Sequence, residues 1–156
     1  MKPIVKKIAI ASGLLLGAAA VSGAVSYAIA KKLVAMALDR GAQLPTSRAH
    51  ISGKPAQLAF ANLREKAAEE LESKPGETVE ITARDGIKLV GHWRTCPNAR
   101  RVLITMHGWR SSWSRDFGLL AEFLEKNGCS VFYAEQRGQN NSGGEYMGFG
   151  LTERFD

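Results

Sequence analysis

Val102-Leu-Ile-Thr-Met-His-Gly-Trp-Arg-Ser-Ser112 is an unbroken apolar run that stops on His-Gly and passes into hydroxyl residues. Five consecutive apolar or β-branched residues, Val102 to Met106, are too few for a helix and have the pattern of a parallel strand covered on both faces. A second such run follows at Ser130 to Ala134, SVFYA. Between them Phe117, Leu120, Ala121 and Leu124 recur at helical spacing, Glu122 and Lys126 stand four apart, and Asn127-Gly128 supplies a helix stop. Strand, helix and strand make a βαβ unit with both strands expected in the core.

Working back from this unit, Glu77 to Thr82 (ETVEIT) and Ile87 to Arg94 (IKLVGHWR) alternate, with Arg84-Asp85-Gly86 between them. Asp-Gly between alternating runs is a hairpin signal. From Ala56 to Glu72 the residues Phe60, Leu63, Ala67 and Leu71 line one helix face opposite Glu65, Lys66, Glu69 and Glu70, and Lys74-Pro75-Gly76 ends that helix. Working forward, Glu135 to Gly150 is polar and Gly-rich, and Thr152 is the expected N-cap of a further helix. The expected fold is α/β: a hairpin, then βαβ.

At the amino end, residues 8–30 carry no charge. As a helix they extend about 34 Å, enough for about 30 Å of hydrocarbon. A cleaved signal peptide is the alternative, with Ala28-Ile29-Ala30 as a small-x-small site, but signal cores run to about 7–15 residues, which favours an uncleaved single-pass anchor. Lys2, Lys6 and Lys7 face Lys31, Lys32 and Arg40 across the segment, so charge barely orients it; the short first tail favours the amino terminus inside and an extracytoplasmic domain. Gly13 and Gly17 form a GxxxG through which two helices could approach, or are small residues in a lone helix. Lys31 to Arg40 can continue as an amphipathic helix ended by Gly41, and Pro45, Ser47, Ser52, Gly53 and Pro55 mark a linker. The divisions are therefore 8–30 for the anchor, 31–75 for juxtamembrane helices and linker, and 76–156 for the domain.

The formal charge of +6 includes Lys2, Lys6 and Lys7, and no basic stripe is interleaved with aromatics, which argues against nucleic acid. Cys96 and Cys129 lack CxxC spacing. His50 in the linker and His92 in an alternating strand read as ordinary residues, so neither a metal nor another cofactor is implied.

The ordered set His107-Gly108, Asp85-Gly86 and Gln136-Arg137-Gly138, continued by Gly144-Glu-Tyr-Met-Gly-Phe-Gly150 and Glu153-Arg-Phe-Asp156, resembles the α/β-hydrolase family over about residues 76–156. The likeness points to membrane-anchored bacterial members of the lysophospholipase and serine-peptidase-like kind. It implies a serine hydrolase acting on a small-molecule carboxylic ester, ahead of an amide, through an acyl-enzyme. It also implies that the backbone N–H of Trp109 donates to the oxyanion, with His107 and Gly108 as structural support. The family's nucleophile, acid and catalytic histidine come from later segments, and no G-x-S-x-G occurs here, so the sequence reads as an incomplete amino-terminal part, inactive alone. The rival is a non-enzymatic membrane-bound interaction fragment or the product of a truncated gene.

Three further expectations follow. Ser111, Ser112 and Ser114 read as helix-start hydroxyls rather than nucleophiles, and Trp109 and Trp113 line a substrate mouth or pack beneath loops. The sequence has Gln139-Asn140 where the family has His-Gly, and Glu135 where Asp is common, which puts loop contacts in doubt. In the family's sheet the strands ending at Cys96 and starting at Cys129 are antiparallel neighbours, so the two thiols either pair or stay free.

Overall fold

The computed structural model describes residues 3–42 and 55–156, with residues 3–19 as helix backbone only. Lys2, His50 and the linker residues Pro45, Ser47, Ser52 and Gly53 lie outside the described residues. The chain divides into two compact units, Met1–Ala37 and Leu38–Asp156.

The first unit is helical. Helix α1, Pro3–Leu38, runs through Lys31 and Lys32 without a break, so the anchor segment and the juxtamembrane helix are one element. Ala20–Leu38, with a mean hydropathy of 1.4, is long and apolar enough to cross a membrane. A secretory leader meets the same description.

The second unit is mixed α/β, a hairpin followed by βαβ. Strands β1 (Glu77–Thr82) and β2 (Lys88–Arg94) pair antiparallel, and β3 (Arg101–Met106) and β4 (Cys129–Glu135) pair parallel. β4 also pairs antiparallel with β2, giving the order β1-β2-β4-β3. The hairpin turns where expected: Gly86 takes φ +83°, and its N–H donates to Ala83 at 2.9 Å.

Helix α2 (Pro55–Ser73) precedes the hairpin and α3 (Trp113–Lys126) joins β3 to β4. Ser112 caps α3 by accepting from the Arg115 N–H, and Gly128 follows its end at φ +68°. The expected Glu122–Lys126 ion pair is present. Leu71, Trp113, Ala121, Cys129, Val131 and Tyr133 form the core between the helices and the sheet. The helices meet at Gly118, where an added Cβ would lie 2.6 Å from the Ala67 carbonyl oxygen.

Two expectations are corrected. β3 is not buried on both faces: it is the outer strand, and Val102, Ile104 and Met106 are 63%, 72% and 55% exposed. Among the described residues α2 and α3 cover one face of the sheet, and these three side chains project from the other. Along the helices Phe60, Leu63 and Leu120 are exposed. Thr152 does not cap a helix either; it precedes a 3-10 turn, Glu153–Phe155, and its hydroxyl turns to the Glu153 carboxylate at 3.2 Å.

Candidate active site

Parallel pairing sets Met106 against Ala134, so β3 and β4 deliver their following loops side by side. His107 leaves the first strand and is 2% exposed. Its Nε2 accepts from the Gln136 N–H at 3.3 Å and lies 3.1 Å from Asn140 Nδ2, while its Nδ1 lies 2.9 Å from the Gly108 carbonyl oxygen. Only one assignment satisfies all three contacts: Nδ1 carries the proton and Nε2 is the acceptor. Both ring nitrogens are thus engaged with the loop, and the ring is a brace.

Gly108 donates its N–H to Asp116 Oδ2 at 2.7 Å, and Asp116 Oδ1 accepts from the Ser111 hydroxyl at 2.6 Å and from Arg64 Nη2 at 3.1 Å. Burial works to raise the Asp116 pKa, but these hydrogen bonds and the Arg64 charge outweigh it and hold the carboxyl below its ordinary range. The loop after β3 is therefore tied to the first turn of α3. Trp109 comes next, 45% exposed, with its ring 6.3 Å from that of Phe149 and the Arg110 guanidinium 5.3 Å from its centroid.

The departures from the family pattern lie at the join between the two loops. Gln139 Oε1 accepts from the Arg110 N–H at 2.7 Å. Asn140, in left-handed backbone at φ +49°, donates from Nδ2 to the Ser111 carbonyl at 3.0 Å. Gln136 closes the set by donating from its side chain to the His107 carbonyl. Gly138, at φ +70°, lets the loop double back, because a Cβ there would lie 2.5 Å from the Tyr146 carbonyl oxygen.

Arg137 joins the separate motifs. Its guanidinium donates to both carboxylate oxygens of Asp85 in the hairpin turn and of Asp156, including 3.0 Å from Nε to Asp156 Oδ2. The hydrogen bonds from Arg137 hold the Asp85 carboxyl below its ordinary range, and the two carboxylates in turn push the Arg137 pKa upward.

Sequence reading missed a buried polar pair behind this face. Glu135, whose side chain is 0% exposed, lies 2.7 Å from His92 Nε2 and accepts from the Asn141 N–H at 2.6 Å and from Asn141 Nδ2 at 2.9 Å. His92 stacks on Trp113 with centroids 4.2 Å apart. Ser142, fully buried, accepts from the Val90 N–H and donates to the Glu135 carbonyl. The available signal was an acid closing an apolar strand next to a strand with a lone histidine.

The serines stand as expected of a helix start. Ser111 bonds Asp116, Ser112 caps α3 and Ser114 donates to Glu72 on α2. Trp113 is buried in the core, while Trp109 faces outward. Cys96 and Cys129 are both buried and free, with Cys96 Sγ 3.4 Å from the Glu125 carbonyl and Cys129 Sγ 3.8 Å from that of Asn127. Among the described residues no group of three or more His, Cys, Asp or Glu is placed to hold a metal ion.

No family model and no curated protein matches the chain. Solved structures are similar in part. The Pyrococcus furiosus esterase Pf2001 is 32% identical with a TM-score of 0.46, over 56% of this chain and 34% of its own. The α/β hydrolase GrgF from Penicillium sp. sh18 is 22% identical with a TM-score of 0.39, over 46% of this chain and 25% of its own. This chain thus spans about a third of the esterase's length.

Proposed function

We propose that the chain is the amino-terminal part of a membrane-anchored serine hydrolase that cleaves small carboxylic esters, ahead of amides, through an acyl-enzyme. The observation that carries this reading is the clamp at Arg137, which gathers three of the motif segments that resemble α/β-hydrolases at the carboxyl end of β4, the strand beside β3. Ligands of open α/β sheets bind at that end. In this reading the Trp109 N–H donates to the oxyanion, worth about 2.7–4 kcal/mol in the transition state. His107 and Gly108 hold it in place through Gln136, Asn140 and Asp116. The nucleophile, its base and the acid belong to sequence beyond Asp156, α1 is an uncleaved anchor, and the bilayer is a standing partner. Gly13 and Gly17 offer the anchor a helix-dimer face.

The test is hydrolysis of an activated ester, and labelling by a fluorophosphonate, for this chain and for one extended by the downstream reading frame. The extended chain should turn over and label at a serine in G-x-S-x-G, and the 156-residue chain should do neither. Turnover by the short chain that Ser112→Ala abolishes would overturn the mechanism.

The rival reading is a non-enzymatic membrane-bound interaction fragment or the product of a truncated gene. A stop codon directly after Asp156 in the gene would select it.

A further inference from the structure

Phe149 sits between two glycines at φ +50°, a left-handed conformation that is unfavourable for a bulky residue. The strain is held deliberately: Glu153 accepts from the N–H of Gly148 and, at 2.8 Å, from that of Gly150, clamping the backbone on both sides of Phe149. Yet the ring so presented is 64% exposed. It lies beside Trp109, and Tyr146 on the same loop is 61% exposed. Backbone held in a sparsely populated conformation to present a side chain marks a functional surface.

Within the second unit these residues are bonded to the place where the apolar span ends. Leu38, the last residue of that span, accepts from the Met147 N–H at 2.7 Å. Asp39 bridges Tyr146, and the Arg40 N–H donates to the Glu145 carbonyl at 2.8 Å. Arg110, beside the Trp109 ring, donates to the carbonyls of Asp39 and Ala42. The Arg40 guanidinium is likewise committed to carbonyls, those of Asn140, Ser142 and Gly144. The aromatic cluster is therefore one or two bonds from Leu38, the carboxyl end of the apolar span.

We infer that Trp109, Tyr146 and Phe149 form a docking face that rests in the lipid interface. Trp and Tyr, each an apolar body with a polar tip, concentrate at headgroup depth, and Phe adds buried apolar area. Because Arg40 and Arg110 bond backbone carbonyls, docking depends on the rings rather than on lipid charge. The inference rests on the reading of α1 as a retained anchor.

The test uses the full chain in phosphatidylcholine vesicles containing lipids brominated near the headgroup or deep in the acyl chain. Shallow bromines should quench a component of tryptophan emission more than deep ones, Trp109→Phe should remove that component, and 1 M salt should leave it unchanged. Tyr146→Ser with Phe149→Ser should reduce it while the protein resists extraction by alkaline carbonate. Release by carbonate would overturn the anchor and this face with it. Retention with equal quenching of wild type and Trp109→Phe would overturn the docked face alone, whether a second copy or a later segment of the chain covers it instead.

Discussion

Arg137 grips the carboxylate of Asp85 with both terminal nitrogens, Nη2 lying 3.1 Å from Oδ1, across 52 residues of chain. The same guanidinium takes Asp156 through Nε and Nη2, so a side chain only 8% exposed is matched on both sides. A planar fork suits this double grip, and an ammonium cannot reproduce it.

Arg137→Met should therefore lower stability by about 1–3 kcal/mol, the range for charged hydrogen bonds lost at a buried group, held down because the Asp85 carboxylate is half exposed. Arg137→Lys should recover only part of that loss. Chemical denaturation of the full chain in detergent ranks the variants; equal midpoints for wild type and Arg137→Met would remove the clamp from the account.

Asp116 ties the loop after β3 to α3, and its carboxyl is held below the ordinary range. A carboxyl depressed in the folded state contributes stability above its unfolded value, roughly pH 4, and that contribution disappears as pH falls through the lower folded value. Asp116→Asn should cost about 1.5–3 kcal/mol at pH 7. The gap to wild type should narrow as pH falls below the unfolded value and through the lower folded one, where the wild-type carboxyl also protonates. Denaturant midpoints across that range check the sign. Asp85 and Glu153 are depressed as well and add to the loss of wild-type stability in acid.

The α2–α3 contact has no room at Gly118. Gly118→Ala should cost about 1–3 kcal/mol through overpacking, despite the gain in helix propensity. Gly86→Asn, in a turn with open space around it, is the control and should stay within about 0.5 kcal/mol. A stabilised Gly118→Ala protein would show that the helices lie farther apart.

Ile104 stands 72% exposed on an outer apolar strand, an edge prone to pairing with other chains. Ile104→Lys should shift stability by less than about 0.5 kcal/mol and yet lower self-association. Light scattering during a thermal ramp measures this, and unchanged aggregation would locate the sticky surface elsewhere.

The hairpin and the βαβ unit were legible because turn chemistry and apolar periodicity act locally: Asp85-Gly86 and Asn127-Gly128 terminate elements where the structure ends them. The open face of β3 was not legible. A continuous apolar run such as Val102 to Met106 records that a strand has apolar surface on both sides, not whether anything covers it. At the candidate site, both ring nitrogens of His107 meet groups of the two loops, contacts that the sequence offered only through the resemblance. Gln139 and Asn140, the residues that depart from the family pattern, turned out to carry bonds between the two loops. The His92–Glu135 pair stayed hidden because it exists only through the β2–β4 register, a long-range fact that spacing does not encode.

That register also sets a timetable. β3 precedes β4 in the chain but lies beyond it in the sheet, so β3 cannot join the hairpin until residues 129–135 have inserted between them. The β1–β2 hairpin can close within microseconds on its own turn, whereas β2 and β4 must find each other across α3 and its loops. The slow step of folding should then be the insertion of β4, with β3 waiting and unpaired until it occurs. Substitutions in Val131 or Tyr133 would slow refolding, and those in the Asp85 turn would mainly hasten unfolding.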